Sequence, residues 1–593
     1  MGRVVLRMGG RVARDLHVFQ ADTGQRLGWS VRGPRPAPRV AGERPTERRP
    51  RVRPISRDRT IRRRAGYACG PRAAPRPPAP THQDVPLNIM KLNQRRAGVL
   101  LHITSLPGPH GIGDFGPGAF HFVDWLASAG QRLWQLLPTT PIGPADSPYQ
   151  SVSAFAGSPL MVALEPLVAC GWLEPTVLPE GGFDAKRVDY GRVVPWRMAR
   201  LRDAARGFLR LASPDEREAM RAWCVCQADW LDDYALFMAL EGAEAGLPWW
   251  LWPEPLRARE PQALAGARVA HADEIAFWQF VQWCFDGQWS AVKAYANARD
   301  VAIMADLPIF VAHHSADCWT RPDLYELDAD HQPVVVAGVP PDAFSAQGQR
   351  WGNPLYRWDR MAADGYAWWT ARVRRTLAHA DAFRIDHFRG FAACWEIPAS
   401  SPSAVEGRWV AGPGTTLFDA ITDALGELPI VAEDLGVITP DVVALRDSCG
   451  LPGMRILRFA FGGDATHEYL PHHYVPATVA YTGTHDNEPM QAWWQAAPEH
   501  ERRFAATYLG CEAHDVHWAM VRALCNSVAD TVIFPLQDVL GLGAAHRMNL
   551  PGTTRGNWCW RFDWPMVGEA PALALGRITA ASGRGPFGLL HLP

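Results

Sequence analysis

Short apolar segments that end in a charged residue recur along the chain and alternate with helical segments. The predicted strands are AGVLLHI (97–103), RLWQLLP (132–138), VAIMADLPIFV (301–311), ADAFRIDHF (380–388), LPIVAEDLG (428–436), MRILRFAF (454–461) and TVAYTGTHD (478–486). Strands separated by helices favour a parallel sheet, and continuous apolar runs are typical of strands that are buried on both faces. The pattern predicts an α/β fold, a (β/α)8 barrel with inserted, largely helical subdomains and no C-terminal β-sandwich.

One interval, at about residues 180–272, lacks this alternation and is predicted to be a helical insertion in a barrel loop. One of its helices begins at SPDE, where Ser213 is the N-cap, Pro214 the first helical residue and Glu216 completes a capping box. The insertion is rich in tryptophan, and we interpret these side chains mainly as core, with substrate contact as the alternative. They are Trp223, Trp230, Trp249, Trp250 and Trp252.

Residues 1–89 differ from the rest in composition. They contain 20 arginines, no lysine and six acidic residues, a net charge of +14, and they are rich in proline. A segment without an apolar period cannot bury enough surface to become ordered, so we predict a disordered extension. Two alternatives remain: an arginine-rich tail for an anionic partner, or a misassigned start, with Met90 as the true first residue. The catalytic domain is then 90–593.

The overall composition narrows the classes of function. Beyond residue 89 the net charge is −15, which gives no support for nucleic-acid binding. The chain contains no run of about 18 apolar residues and no apolar leader, so we expect neither a membrane partner nor secretion. The 11 cysteines include no C-x-x-C pair, which indicates free thiols in a reducing cytoplasm rather than a zinc site.

Four acidic residues share one position relative to the predicted strands. Asp306, Asp386, Glu433 and Asp486 each follow an apolar run and precede a loop. Any one of them alone fits a helix N-cap or a salt bridge. In a parallel barrel, however, all such strand ends lie on one rim, where active sites are built. Arg384 lies two residues before Asp386 and therefore points to the same side of its strand, so both are expected to face the barrel mouth.

Two carboxyl groups that flank an acetal bond can perform glycoside chemistry. Arg384 would keep Asp386 ionised as a nucleophile, whereas Glu433 follows the apolar IVA and would retain its proton at neutral pH. Asp486 would hold sugar hydroxyls with His485 beside it. Clustered carboxylates also suit a divalent cation, but such a site generally needs more histidine or adjacent aspartate than this chain offers.

Several segments together resemble the signature regions of the α-amylase clan and, within it, the amylomaltase family of 4-α-glucanotransferases. The segments are GVLLHITSLPGPHGIGDFG (98–116), DSPYQSVSAFAGSP (146–159), ADLPIFVAHHSADCW (305–319), AGVPPDAFSAQGQRWGNPLY (337–356), FRIDHFRGFAACWEIPA (383–399), AEDLGVITPDV (432–442), LPGMRILRFAF (451–461), YTGTHDNE (481–488) and RMNLPGTTRGNWCWR (547–561). The resemblance spans about residues 97–562. GQRWGNPLY and RGNW are especially specific to the family.

The resemblance implies a role for each matching position. Asp386 matches the nucleophile, Glu433 the acid/base, and Asp486 the acid that stabilises the transition state. The implied substrate-binding residues are Tyr149, Asp306, Asp342, Trp351, Arg384 and His485. Ordinary core packing is the alternative for the two aromatic residues. The chain departs from the family at Ala343, where a tyrosine is usual, and at Glu488-Pro489-Met490, where many relatives have Asp-Thr-Thr.

The expected activity is transfer of an α-1,4-glucan segment to the 4-hydroxyl of glucose or a maltooligosaccharide, without a cofactor or metal. The alternatives are an amylase-like hydrolase on the same barrel and a catalytically inactive barrel that serves as a binding module. The expected partners are α-1,4-glucans, maltooligosaccharides and glucose, and the expected state is a monomer or a weak homo-oligomer in the cytoplasm.

Overall fold

A computed structural model of the chain describes residues 90–178, 182–341 and 345–591. The prediction of a disordered extension at 1–89 therefore lies outside the described residues. The same holds for Asp342, which the sequence assigns to substrate binding, and for the departure at Ala343.

The strands of the described chain are β1 (Arg96–Leu100), β2 (Leu133–Gln135), β3 (Ala302–Pro308), β4 (Val335–Val339), β5 (Gln349–Pro354), β6 (Ala382–Asp386), β7 (Ala393–Pro398), β8 (Arg408–Ala411), β9 (Ile430–Ala432), β10 (Gly453–Ile456), β11 (Thr478–Tyr481) and β12 (Thr531–Pro535). Eight of them form a closed parallel barrel in the order β1-β12-β11-β10-β9-β6-β3-β2. The barrel closes where β1 pairs with β12, with Arg96 opposite Thr531. The predicted (β/α)8 fold is confirmed.

Helices surround the barrel strands and fill the long connections. Their bounds are α1 (Pro117–Ser128), α2 (Glu165–Ala169), α3 (Tyr190–Leu211), α4 (Pro214–Cys226), α5 (Ala228–Ala243), α6 (Glu254–Arg257), α7 (Pro261–Ala270), α8 (Ala272–Asn297), α9 (Ala316–Thr320), α10 (Trp358–Ala363), α11 (Ala367–His379), α12 (Thr415–Leu425), α13 (Pro440–Ser448), α14 (Met490–Ala496), α15 (Glu499–Leu509), α16 (Val516–Asn526), α17 (Leu536–Val539) and α18 (Glu569–Ala581). Among the described residues, no helix is long and apolar enough to span a lipid bilayer.

The strands are shorter than the sequence predicts, because the chain turns into loops at the barrel rim. β6 ends at Asp386, since the next residue, His387, takes the left-handed backbone conformation with φ of 55°. The predicted strand at 454–461 is wrong in its second half, where residues Leu457–Gly462 form a 3-10 helix. β12 was not predicted, although its sequence TVIFP is apolar and fully buried.

A second, four-stranded antiparallel sheet stands beside the rim, and the sequence did not predict it. Its strand order is β5-β4-β7-β8. β4 and β5 lie between β3 and β6 in the chain, and β7 and β8 lie between β6 and β9. These strands are therefore built from the loops that follow two neighbouring barrel strands. The sheet carries Trp351 on β5.

Helices α3 to α7 occupy the long connection between β2 and β3. The capping box at the start of α4 is present: the Glu216 backbone N–H donates to the Ser213 hydroxyl at 3.2 Å, and the Ser213 N–H donates to the Glu216 carboxylate at 2.7 Å. Four tryptophans of this region are buried, as the core interpretation predicts, namely Trp223, Trp230, Trp249 and Trp252, whereas Trp250 is half-buried.

Candidate active site

The register of the parallel strands brings the predicted site residues to one rim. On β6 and β9, Arg384 lies opposite Val431 and Ile385 opposite Ala432. Asp386 is the last residue of β6 and Glu433 directly follows β9, so the two residues leave neighbouring strands side by side. On the other side of β6, Asp306 of β3 lies opposite Arg384. Because side chains alternate along a strand, these residues point into the barrel.

Arg384 is buried and joins two of the carboxylates. Its Nη1 lies 2.7 Å from Asp306 Oδ1, and its Nη2 lies 2.7 Å from Asp386 Oδ1. Burial lowers the pKa of Arg384, but the carboxylates around it outweigh that effect and raise the pKa above its ordinary value. Asp306 is buried, whereas the side chain of Asp386 is 31% exposed. One carboxylate oxygen of Asp386 is therefore held in an ion pair with Arg384, and the side chain remains accessible from the barrel mouth.

Glu433 is 9% exposed and held by backbone N–H groups. The N–H of His387 donates to its Oε2 at 2.7 Å, and the N–H of Leu435 donates to its Oε1 at 3.0 Å. Burial raises the pKa of Glu433 to about 8, Arg384 opposes this increase, and Asp386 adds to it. The sequence predicted a rise of this sign.

Asp486 lies beyond the end of β11 and is held by two side chains. Asn549 Nδ2 donates to its Oδ1 at 2.7 Å, and His485 Nε2 lies 3.3 Å from the same oxygen. The side chain of Asp486 is 41% exposed. The adjacent backbone is also fixed, because Arg547 Nη2 donates to the Asp486 carbonyl oxygen at 2.5 Å.

Tyr149 connects the two sides of this rim. Its hydroxyl donates to Asp306 Oδ2 at 2.7 Å and lies 3.0 Å from His485 Nε2. The Tyr149 and His485 rings stack, with centroids 5.4 Å apart and an interplanar angle of 11°. Trp558 packs against both rings at 5.6 and 5.9 Å. Tyr149 is half-buried.

Trp351 reaches the rim from β5 of the small sheet. Its ring meets that of His387 edge-on, with centroids 4.8 Å apart and an interplanar angle of 85°. Its indole N–H donates to Gln349 Oε1 at 3.2 Å. This contact places a half-buried indole against the residue that follows Asp386 in the chain. Tyr149 and Trp351 are thus two aromatic residues at the same mouth.

The sequence did not identify several residues that hold Asp486. Asn549 lies in RMNLPGTTRGNW, but nothing in that segment alone shows that its amide meets Asp486. Glu488 lies 2.6 Å from Arg458 and 3.3 Å from Arg547, so its carboxylate bridges the two arginines. Glu488 belongs to one of the two segments for which the sequence predicts a departure from the family. Among the described residues, no cluster of three or more His, Cys, Asp or Glu is arranged to hold a metal ion.

The fold and the carboxylates at its rim define a (β/α)8-barrel enzyme. A family described as 4-alpha-glucanotransferase matches residues 101–566. The chain is 52% identical over 476 residues to a 4-alpha-glucanotransferase of Thermus thermophilus, which covers 79% of this chain and 94% of that protein. A 4-alpha-glucanotransferase of Synechocystis is 45% identical over 500 residues, which covers 83% of this chain and 99% of the relative.

A solved structure is also similar to this chain. The amylomaltase from Streptococcus agalactiae in complex with acarbose superimposes with a TM-score of 0.80 at 37% identity, which covers 83% of this chain and all of the other. The chain belongs to the 4-alpha-glucanotransferase family. The amylomaltase-type enzyme that the sequence predicted is confirmed at this level.

Proposed function

We propose that this enzyme moves a segment of an α-1,4-glucan to the 4-hydroxyl of glucose or a maltooligosaccharide by a retaining, two-step mechanism. One observation carries the proposal: two carboxyl groups with different environments end neighbouring strands. Asp386 is ion-paired and accessible, whereas Glu433 is buried and has a raised pKa. Such a pair supplies a nucleophile and an acid at the same pH.

In the first step, an Asp386 carboxylate oxygen attacks the anomeric carbon of the donor sugar. The bond from that carbon to the bridging oxygen breaks, and Glu433 gives its proton to this oxygen as the reducing-end part of the glucan leaves. The products are a glycosyl ester on Asp386 and an ionised Glu433. The Arg384 ion pair holds the unreacted oxygen of Asp386 and so fixes the direction of attack.

In the second step, Glu433 takes the proton from the 4-hydroxyl of the incoming sugar. That oxygen attacks the anomeric carbon, the ester bond breaks, and the Asp386 carboxylate is restored. Glu433 acts first as an acid and then as a base, as microscopic reversibility requires. Two inversions at one carbon preserve the α configuration.

The other rim residues are proposed to bind the sugar that reacts. Asp486 is exposed enough to accept hydrogen bonds from sugar hydroxyls, and Asn549 and His485 keep its carboxylate in place. Tyr149 and Trp351 offer ring surface to the apolar C–H face of a pyranose. Asp306 orients Arg384 and Tyr149. A role for Asp342 and the cytoplasmic location stay predictions.

Incubation of the protein with maltotriose tests the proposal. Transfer produces free glucose together with longer maltooligosaccharides, while the total number of reducing ends stays constant. Hydrolysis would instead raise the number of reducing ends steadily, and that result would overturn the proposed reaction. Asp386→Asn serves as the control that separates turnover at this site from a contaminating activity.

A further inference from the structure

The segment 482–490 carries His485 and Asp486 and connects β11 to α14. Its two ends, Thr482 and Met490, are fully buried, whereas the side chain of Asp486 between them is 41% exposed. The exposed middle of the segment is therefore held from its two buried ends. The position of Asp486 at the rim depends on what fixes those ends.

One buried carboxylate holds both ends of the segment. Asp538 lies on α17, in the connection that follows β12, and is 1% exposed. The Thr482 hydroxyl donates to its Oδ2 at 2.6 Å, and the Met490 backbone N–H donates to its Oδ1 at 2.8 Å. Because each carboxylate oxygen accepts from a different end, Asp538 clamps the start and the finish of segment 482–490 to the same point of the fold.

The protonation state of Asp538 suits this arrangement. Burial raises the pKa of its carboxyl group to about 6, and the hydrogen bonds from Thr482 and Met490 and the charge of Arg458 oppose the rise. At neutral pH the group is therefore mostly ionised, and both of its oxygens accept hydrogen bonds. Hydrogen bonds to an ionised carboxylate are stronger than those between neutral groups.

The middle of the segment is held by other residues of the connection that follows β12. Arg547 donates to the Asp486 carbonyl oxygen, and the side-chain amide of Asn549 donates to Asp486 Oδ1. The backbone N–H of Asn549 also donates to the His485 carbonyl oxygen at 3.1 Å. These contacts reach Asp486 directly, whereas Asp538 holds the buried ends. Loss of the clamp would let the ends shift and carry the Asp486 carboxylate with them.

We propose that Asp538 is a positioning residue for the reaction, which sets the place of the Asp486 carboxylate relative to the reacting sugar by clamping both ends of segment 482–490. This inference rests on the proposed transfer reaction, in which Asp486 binds that sugar. Asp538 itself is buried and acts only through the segment. A displacement of about 1 Å at a reacting centre can lower the rate on the order of 10²-fold. Because Asp486 matches an acid that stabilises the transition state, the loss is expected in kcat more than in KM.

Kinetics of Asp538→Ala on maltotriose test the inference. The substitution removes both hydrogen bonds, so kcat per folded molecule should fall about 10- to 100-fold while KM stays within about threefold. Asp538→Asn should recover most of this loss, because its amide oxygen can accept from the Met490 N–H while its amide N–H donates to the Thr482 hydroxyl. Thr482→Val removes one of the two contacts and keeps the shape of the side chain, so kcat should fall less, by about 3- to 10-fold.

Asp381→Ala is the matched control. Asp381 is 2% exposed, and its Oδ2 likewise accepts from one backbone N–H, that of Ile303, and from one side chain, Asn297, both at 2.8 Å. It also pairs with Lys293. Asp381 precedes β6 and therefore lies at the end of the barrel opposite the rim, where residues serve stability. The control should lower the melting temperature at least as much as Asp538→Ala, but kcat per folded molecule should stay within about twofold of wild type.

Three results would overturn the inference. They are an Asp538→Ala enzyme with the kcat of wild type, an equal fall in kcat for the Asp381 control, and an Asp538→Asn enzyme as slow as Asp538→Ala. If Asp538→Ala yields no folded protein, an unchanged kcat in Thr482→Val overturns it instead. Failure of the proposed reaction is distinct, since wild type would then raise the number of reducing ends instead of forming longer maltooligosaccharides.

Discussion

Two clusters of paired arginine and carboxylate side chains in this enzyme differ in how accessible their carboxyl groups are to solvent. The rim cluster consists of Asp306, Arg384, Asp386 and Glu433. The sealed cluster lies among α4, α8 and α11. In it, Asp286 accepts from Arg375 at 2.7 and 3.0 Å, from Trp223 at 3.0 Å, and lies 2.9 Å from His379.

The charges are balanced differently in the two clusters. Burial alone would raise the pKa of Asp286, but Arg375 and His379 outweigh it and hold that pKa well below its usual range. At the rim, one arginine serves several carboxyl groups, and the pKa of Glu433 rises to about 8. In the sealed cluster Arg375 and His379 neutralise the Asp286 carboxylate, whereas the rim cluster contains a carboxyl group, Glu433, whose pKa is raised to about 8. This is the difference expected between structural ion pairs and the catalytic group that we propose at the rim.

The largest effect is expected from Asp386→Asn. The amide keeps the shape of the side chain but removes the proposed nucleophile, so kcat for maltotriose disproportionation should fall on the order of 10⁴-fold. Because the side chain is 31% exposed, the melting temperature should change little. Turnover close to that of wild type would exclude Asp386 as the nucleophile.

The opposite pattern is expected from Asp286→Ala in the sealed cluster. Removal of one partner from a buried ion pair leaves Arg375 unpaired and costs about 3–5 kcal/mol of unfolding free energy. Urea unfolding followed by tryptophan fluorescence measures this loss. The activity of the molecules that remain folded should stay within about twofold of wild type. A large drop in kcat without destabilisation would contradict the division between the two clusters.

Arg384→Lys in the rim cluster tests whether the geometry of its ion pairs matters in addition to their charge. A lysine keeps the charge but cannot hold Asp306 and Asp386 with two separate nitrogens, so kcat should fall about 10²-fold. Arg375→Lys is the matched change in the sealed cluster and should affect the melting temperature more than kcat. Steady-state kinetics and thermal unfolding of both variants measure these two effects. Equal decreases in kcat for the two variants would contradict the distinction between the rim cluster and the sealed cluster.

The smallest expected effect is a change in how stability depends on pH. The pKa of Glu433 is higher in the folded enzyme than its ordinary value of 4.5, so the folded state binds more protons between about 4.5 and 8. Stability from this group is therefore present at low pH and is lost as pH rises through this window. Glu433→Gln should flatten the fall in melting temperature between pH 6 and 8 by about 2–4 °C. Parallel curves for both proteins would contradict the raised pKa.

The sequence predicted the barrel and four of its acidic residues because both depend on local patterns. The apolar runs before Asp306, Asp386 and Glu433 mark barrel strands, and parallel strands bring their carboxyl ends to one rim. The prediction that Asp306 ends its strand is wrong, because β3 continues to Pro308. Strand bounds were less accurate, since the turn at His387 depends on a backbone conformation that the residue type does not show.

Contacts between loops that lie far apart in the chain could not be predicted from the sequence. Asn549 meets Asp486, and Tyr149 meets Asp306, only because separate loops converge over the rim. The small sheet was missed for a similar reason: β4 and β5 leave one barrel strand, and β7 and β8 leave the next. Their antiparallel pairing satisfies backbone groups from different parts of the chain.

The most direct test of the mechanism is mass spectrometry of a trapped glycosyl enzyme. Glu433→Gln treated with maltotriosyl fluoride, whose leaving group needs no acid, should accumulate the ester because no base remains to activate the acceptor. Proteolysis at low pH is expected to yield the peptide that contains Asp386 with one maltotriosyl group attached. The absence of any adduct, or its presence on the peptide that contains Asp486, would contradict the account.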